Sequence, residues 1–409
     1  MGNTIQKFVK IEVLILRKSK LKILLVSDVY PPYVSGVAYH VQILFKELKK
    51  LGLDVKLLTF EYDDYKDPDI ISIKTGGDIF YPDLKFGIPS KKKRDQILSF
   101  EPDIVHVHTQ FILGFWVMNL RKKLNVPYIA TYHTYFEQQR KALENKPISF
   151  WKGSERLKKM IDNLFKKYDK NFFEKFDGLI SPSELLCEKL KSMGLDNNIE
   201  CIPCPIKKKP SMKKIEYIDE LKLDKNTTLF VGRISKEKDI DELILAFKQV
   251  QEKILDSKLL IVGDGPFLEY SKELVRELGI QNKVKFTGRI AREELLDSGI
   301  HYSCGLFATA AKHENNPLAI MEALFAGLPL VGPKSGGLKE LITNNGFLSK
   351  PGDTEDMAKK IIKILTNETL RKQFSENSIK NSKKYYYKNV ISKFVNLYQK
   401  TIENYQEKM

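Results

Sequence analysis

Two glutamates stand eight positions apart in His313-Glu314-Asn315-Asn316-Pro317-Leu318-Ala319-Ile320-Met321-Glu322, and the residues between them read as the start of a helix. Pro317 suits a first helical turn, Leu318, Ile320, Met321, Leu324 and Phe325 supply an apolar face, and Gly327 followed by Pro329 ends it. This spacing sets Glu314 ahead of the helix and Glu322 about two turns inside it. Carboxylates so placed could accept hydrogen bonds from sugar and ribose hydroxyls. The first-turn N–H groups of Leu318 and Ala319, next to Asn316, and the positive end of the helix dipole could hold a diphosphate between them. Spacing alone leaves an ordinary reading open, because acids are enriched near helix starts.

A second segment adds the opposite charge. Thr227-Thr228-Leu229-Phe230-Val231 is a short β-branched and aromatic run that ends in Gly232, followed by Arg233, Ile234, Ser235 and Lys238, with a helical pattern from Ile240. Arg233 and Lys238 bracket a strand-to-helix turn, where a planar fork and a flexible point charge can both reach an anion.

The combination Gly232-Arg233-x-x-x-x-Lys238, Gly263-Asp264-Gly265-Pro266, the spaced glutamates and Gly336-Gly337-Leu338-Lys339-Glu340 resembles the family 4 retaining glycosyltransferases. That resemblance implies an α/β chain of GT-B architecture, two Rossmann-like parallel-sheet domains facing an interdomain cleft. It extends into the first half. Leu21 to Val26 matches the family's first strand, and Ser27-Asp28-Val29-Tyr30-Pro31-Pro32 with Ser35-Gly36-Val37 matches its glycine-rich loop, although many members carry two glycines there. Gly36 has a physical reason to be present, since backbone without Cβ can approach a phosphate or sugar closely. Pro102 to Thr109 and Ile129 to Thr134 are two further strands with polar ends. They bring His106, His108 and His133 together in a chain of only six histidines, and His133 matches the family histidine that faces the transferred sugar.

The resemblance assigns roles. Arg233 and Lys238 would neutralise the departing diphosphate, Glu314 would hold sugar hydroxyls and Glu322 the ribose, and Leu318 and Ala319 would offer N–H groups to phosphate. Gly36, Gly232, Gly265 and Asn316 would complete the donor set, and Asp28, His108 and Thr109 would lie on the acceptor side. The donor implied is a nucleoside-diphosphate sugar, UDP-glucose by preference, with no cofactor and no required metal. Tyr132-His133-Thr134-Tyr135-Phe136 resembles the diacylglycerol glucosyltransferase branch, whose matching loop faces a lipid; a polysaccharide, polyprenyl-linked or soluble acceptor remains the alternative.

The alternation of strands and helices divides the chain into an acceptor-side domain, 1–206, a charged linker, 207–225, a donor-side domain, 226–384, and a final helix, 385–409, that returns to the first domain. Strands are expected near 22–27, 54–59, 103–108, 127–132, 177–181 and 199–202, and near 227–232, 258–263, 283–287, 304–308 and 329–332. Residues 1–20 read as an extra strand or as sequence ahead of the true start.

With 409 residues and 42% apolar content the chain has ample core for two or three domains. Its net charge of +16 is spread over both halves, and zinc-finger spacing and RNP-like segments are absent, which argues against nucleic acid as the partner. Basic residues concentrate from Trp151 to Phe176. Lys152, Arg156, Lys158, Lys159, Lys166, Lys167, Lys170 and Lys175 there accompany a helical apolar stripe of Leu157, Met160, Ile161, Leu164, Phe165, Tyr168 and Phe172. Such a helix fits either a core face with solvated lysines or an anionic membrane surface, so the expected setting is cytoplasmic, peripheral to the membrane. Four cysteines, Cys187, Cys201, Cys204 and Cys304, are too few and scattered for a disulfide framework and suit a reducing compartment. Cys201-Ile202-Pro203-Cys204 is a lone Cys-x-x-Cys, and Pro203-Cys204-Pro205-Ile206-Lys207 departs from the family's usual Pro-Asn-Gly-Ile-Asp. Asp67-Pro68-Asp69 has the spacing of a metal-binding carboxylate pair but lies in a charged loop, where solvated acids are expected. A sugar-nucleotide-binding subunit or an epimerase would use the same fold without the transfer step.

Overall fold

Ile23, Leu24, Leu25 and Val26 are all fully buried, and a strand with both faces buried belongs inside a parallel sheet covered by helices on each side. The computed structural model describes residues 21–63, 65–76, 85–133, 155–195, 198–213 and 216–409, arranged as two compact units. The expectation for residues 1–20, and Thr134, Tyr135 and Phe136 of the lipid-branch loop, lie outside the described residues.

The first unit holds seven strands: β1 (Lys22–Val26), β2 (Asp54–Phe60), β3 (Ile70–Ile73), β4 (Ile104–Val107), β5 (Tyr128–Thr131), β6 (Gly178–Ser181) and β7 (Asn198–Cys201). They run in the order β3-β2-β1-β4-β5-β6-β7, every neighbour parallel. Alternation along β1 feeds two cores. Leu24 and Val26 pack with Phe60, Val105, Tyr128 and Phe172 on one face. Ile23 and Leu25 pack with helix α1 (Gly36–Lys50) on the other, through Val41, Leu44 and Phe45. Helix α2 (Ile112–Met118) and helix α3 (Glu155–Phe173) also belong to this unit. So does the final helix, whose Val390, Phe394 and Tyr398 join the α1 core. Cys187 and Cys201 form a disulfide with a Cα–Cα distance of 6.2 Å. This corrects the expectation that all four cysteines stay reduced: β7 lies beside β6, so the helix that follows β6 meets it. The Cys-x-x-Cys does not act as a pair.

The second unit repeats the plan with β8 (Thr227–Val231), β9 (Lys258–Val262), β10 (Val284–Phe286), β11 (Leu306–Ala308), β12 (Leu330–Pro333) and β13 (Gly346–Ser349), ordered β10-β9-β8-β11-β12-β13. Helix α4 (Ile240–Lys253), helix α5 (Arg292–Asp297) and helix α6 (Leu318–Phe325) follow β8, β10 and β11; the final helix is α7 (Tyr387–Lys408). Phe230, Leu243, Phe247, Ile261, Ile361 and Ile364 fill its core. The segment read as a linker is tied to this unit: the Ser211 N–H donates to the Leu296 carbonyl at 2.6 Å, and Lys208 pairs with Asp297 at 2.8 Å. In both sheets the strand order reverses between the first strand and the fourth in order of appearance, and ligands of such sheets sit beyond the carboxyl ends of the strands at that reversal.

Candidate functional site

In the second unit the reversal lies between β8 and β11. Past β8, the turn from Gly232 to Ile234 is stapled to the next turn: Gly232 N–H donates to the Val262 carbonyl at 3.0 Å and Ile234 N–H to the Asp264 carbonyl at 2.9 Å. Gly265 has φ +158, and a Cβ there would come within 2.3 Å of the Ile234 carbonyl oxygen. Its glycine is therefore required by the fold itself, whatever binds nearby. The staple leaves the Arg233 side chain exposed and leads into a short 3-10 turn, Lys236–Lys238. Lys238 Nζ then meets Glu314 Oε1 at 2.5 Å. Beyond β11, the backbone of Glu314 and Asn315 lies under the glycine pair: Gly337 N–H donates to the Glu314 carbonyl at 2.6 Å, and a Cβ at Gly337 would lie 1.9 Å from the Asn315 oxygen. That crowding explains Gly336-Gly337.

Helix α6 begins at Leu318 with Pro317 as its N-cap and no side chain capping it. Pro317 thus sits one position earlier than expected, and Glu322 lies about one turn inside the helix rather than two. Glu322 is buried, and its carboxylate accepts from Arg292 Nη2 on α5. Burial raises its pKa, with the Arg292 charge opposing the rise. Arg292, the partner of candidate site residue Glu322, is one that sequence reasoning missed, because Arg-Glu-Glu at the start of a short helix reads as ordinary surface. Lys312, two residues before Glu314, pairs with Glu242 at 2.5 Å, while burial raises half-buried Asp239 to about 6.

In the first unit the reversal lies between β1 and β4. Asp28, just past β1, is buried; it accepts from Thr109 Oγ1 and, at 3.0 Å, from the Leu113 N–H in α2, while its own N–H donates to Thr109 Oγ1 at 2.9 Å. Burial raises the Asp28 carboxyl to about 6, with these hydrogen bonds opposing the rise. Gly36 opens α1, exposed, and Ser35 caps the helix by accepting from the Ala38 N–H at 3.1 Å. A Cβ at Gly36 would meet nothing within 4 Å, so only a docking molecule could require its absence.

The histidines gather at the same end. His106 is a buried structural residue, bonded to the Tyr398 hydroxyl at 2.8 Å and to Thr131 Oγ1 at 2.7 Å. His108 Nδ1 lies 3.3 Å from His133 Nε2. A fourth ring, His40 on α1, was not singled out from sequence, because it falls in the helix's apolar stripe; it stands 4.9 Å from the His133 ring and 3.4 Å through Nδ1 from the Cys204 sulfur. Burial lowers the pKa of all four, His133 to about 3, so they are neutral. Asp67 and Asp69 both close on Lys49, at 3.0 and 2.5 Å, an ion-pair cluster in place of the solvated acids expected.

The pattern described as "Glycosyltransferase Family 4" matches residues 34–209, and "Glycosyl transferases group 1" matches 212–381. An alpha-monoglucosyldiacylglycerol synthase of Streptococcus pneumoniae is 30% identical over 360 residues, 84% of this chain and 78% of that protein. One of Acholeplasma laidlawii is 27% identical over 384 residues, 89% and 93% of the two chains. Among solved structures, Anabaena HepE in complex with UDP and glucose superimposes with a TM-score of 0.70 at 17% identity, over 93% of this chain and all of that one.

Proposed function

Because the chain belongs to glycosyltransferase family 4 and has the GT-B fold, we propose that it moves a hexose, glucose by preference, from UDP-glucose to a lipid acceptor such as diacylglycerol, with retention of configuration. The observation that carries this reading is the pair of charged contacts at the reversal of the second sheet, Lys238 with Glu314 and Arg292 with Glu322. Each joins a cation to a carboxylate, and a diphosphate sugar would exchange partners with both. Lys238 turns from Glu314 to the diphosphate with Arg233 beside it, Glu314 is released to the sugar hydroxyls, and Glu322 takes the ribose. The N–H groups of Leu318 and Ala319, with Asn316, face phosphate at the start of α6. Charge on the leaving diphosphate is neutralised by fixed side chains, the kind of electrostatic stabilisation that contributes most to such reactions, so no metal is needed for it. The acceptor oxygen bonds to the anomeric carbon on the face the diphosphate leaves, the bond to the diphosphate oxygen breaks, and that oxygen takes the acceptor proton. His133 positions the sugar; Asp28, His108 and Thr109 serve the acceptor side.

The lipid acceptor draws support from the two relatives, both alpha-monoglucosyldiacylglycerol synthases, and from α3. Ile161 and Phe172 of its apolar stripe are buried, yet Met160 and Leu164 are 53% and 60% exposed, next to exposed Lys159, Lys166 and Lys167. No helix among the described residues is long and apolar enough to cross a membrane. The test is product analysis with labelled UDP-glucose and vesicles containing diacylglycerol. An α-linked glucosyl lipid is expected; labelled glucose appearing only free, or only on a water-soluble acceptor, would refute the lipid assignment.

A further inference from the structure

Cys204 stands where the sequence departs from Pro-Asn-Gly-Ile-Asp, and the fold puts its sulfur among histidines. One ring nitrogen each of His40 and His133 and the Cys204 sulfur lie within 4.8 Å of one another, all three residues buried. The chain brings them from three distant places: the first turns of α1, the end of β5 and the strand-end loop after β7. The His40 Nε2 and His108 Nε2 atoms are also buried without a hydrogen-bond partner.

We infer that His40, His133 and Cys204 form a site for one thiophilic divalent cation of the zinc class. Two imidazoles and a thiolate are zinc ligands, and three protein ligands leave a fourth position open to water or a hydroxyl. Tetrahedral bonds of about 2.1 Å to nitrogen and 2.3 Å to sulfur leave nitrogen–sulfur edges of about 3.6 Å. The His40 Nδ1 to Cys204 Sγ separation of 3.4 Å already meets that edge. The remaining separations lie within 4.8 Å, at most about 1 Å beyond that edge, a gap that rotation of the His133 ring closes. The histidines are neutral, as ligands must be, and burial holds the Cys204 thiol protonated, up to about 12. Binding therefore transfers one proton from sulfur to solvent as the sulfur–metal bond forms. Occupancy would tie up the His133 ring, so metal should inhibit transfer; that consequence alone rests on the sugar-positioning role proposed above.

The full chain, stripped with chelator, is titrated with Zn²⁺ by calorimetry and with Co²⁺ by absorption. One equivalent should bind, and Co²⁺ should give a thiolate-to-metal charge-transfer band in the near ultraviolet. Cys204→Ser should abolish that band, whereas Cys304→Ser, at the other buried thiol, should leave it intact. His40→Asn should keep a weakened band. Each ligand change should weaken Zn²⁺ at least about tenfold, since loss of even an outer-shell partner costs that much. Thermal melts without metal verify folding; should His40→Asn fail to fold, the nearly isosteric Cys204→Ser still decides. Absence of the band in the parent, or its persistence in Cys204→Ser, overturns the site. If Zn²⁺ binds with the band yet leaves transfer unchanged, the site stands and the role of His133 falls.

Discussion

Each sheet places polar contacts at its reversal, and the two sets are opposites. In the second unit Lys238 meets Glu314 across the ends of β8 and β11, both partly exposed, with exposed Arg233 alongside. In the first, Asp28 meets Thr109 across the ends of β1 and β4, fully buried, with a cluster of neutral histidines beyond. The same topology therefore yields a charged, exchangeable end and a desolvated one, a buried carboxyl beside neutral imidazoles. The charged end suits an anion that arrives and leaves. The desolvated end suits a ligand recognised by lone pairs and hydrogen bonds, whether a hydroxyl or a soft cation.

The sharpest way to break this contrast is to remove the cations. Arg233→Ala and Lys238→Ala should each lower turnover roughly 100-fold or more, about 3 kcal/mol of transition-state stabilisation. Arg233→Lys should rescue poorly, because a point charge cannot reproduce a bidentate fork. Near-normal steady-state rates in both alanine variants would move the diphosphate elsewhere. The carboxylates should separate by calorimetry with UDP alone: Glu322→Gln should weaken binding, whereas Glu314→Gln should leave it nearly intact and impair only transfer.

Arg292 sets the next largest effect. Glu322 is buried, so Arg292→Ala leaves its charge uncompensated; breaking a fully buried pair costs 3–5 kcal/mol, and the partial exposure of Arg292 reduces this to about 2–3. The double variant Arg292→Ala/Glu322→Gln should recover much of that loss in urea denaturation. If it recovers nothing, Arg292 stabilises through packing and not through Glu322.

What the sequence revealed divides along similar lines. A mostly apolar run made β1 legible and a β-branched and aromatic run made β8 so, and the turn glycines marked where chain crosses chain. Two strands escaped, β3 as Ile-Ile-Ser-Ile and β13 as Gly-Phe-Leu-Ser, four residues each at sheet edges, too short to show a period. The acids and bases of the second unit could be named because turn chemistry surrounds them. Their partners could not: Arg292 reaches Glu322 from another helix, and the meeting of His40 with Cys204 joins residues 164 positions apart. Within α3 the spacing shows an apolar stripe, but which of its members stay outside depends on what the helix packs against.

Asp28 offers a test of the desolvated end, with a sign opposite to the histidines. Its carboxyl is raised from 3.8 to about 6, chiefly by burial. Its contribution to stability is therefore fully present below pH 3.8 and is lost as pH rises through 6. The buried histidines, lowered from 6.5, contribute above that pH and lose it in acid. Asp28→Asn keeps an acceptor for the Leu113 N–H and should be more stable than the parent at pH 7 by on the order of 2 kcal/mol, with the difference vanishing near pH 4. Urea midpoints across that range read this difference directly. A parent more stable than the variant at pH 7 would mean that the hydrogen bonds outweigh the burial cost.

The smallest expected effect concerns the surface of α3, where the lipid reading is decided. Exposed lysines contribute about 1 kcal/mol each near an anionic bilayer at low salt and less once screening shortens to roughly 8 Å. Reversing Lys159, Lys166 and Lys167 to Glu should therefore weaken partitioning onto anionic vesicles by about tenfold at physiological ionic strength, roughly 1.4 kcal/mol. Stability should change by only about 0.5 kcal/mol per site, because solvated positions carry little of the fold's free energy. Met160→Ser and Leu164→Ser should weaken the same partitioning without changing its salt dependence, since they remove apolar contact and not charge. Affinity should rise with anionic lipid fraction, and neutral vesicles should bind poorly. If the triple reversal sediments with anionic vesicles as the parent does, the lysines are simply solvated, α3 is not the lipid contact, and a soluble or polymeric acceptor becomes the better proposal.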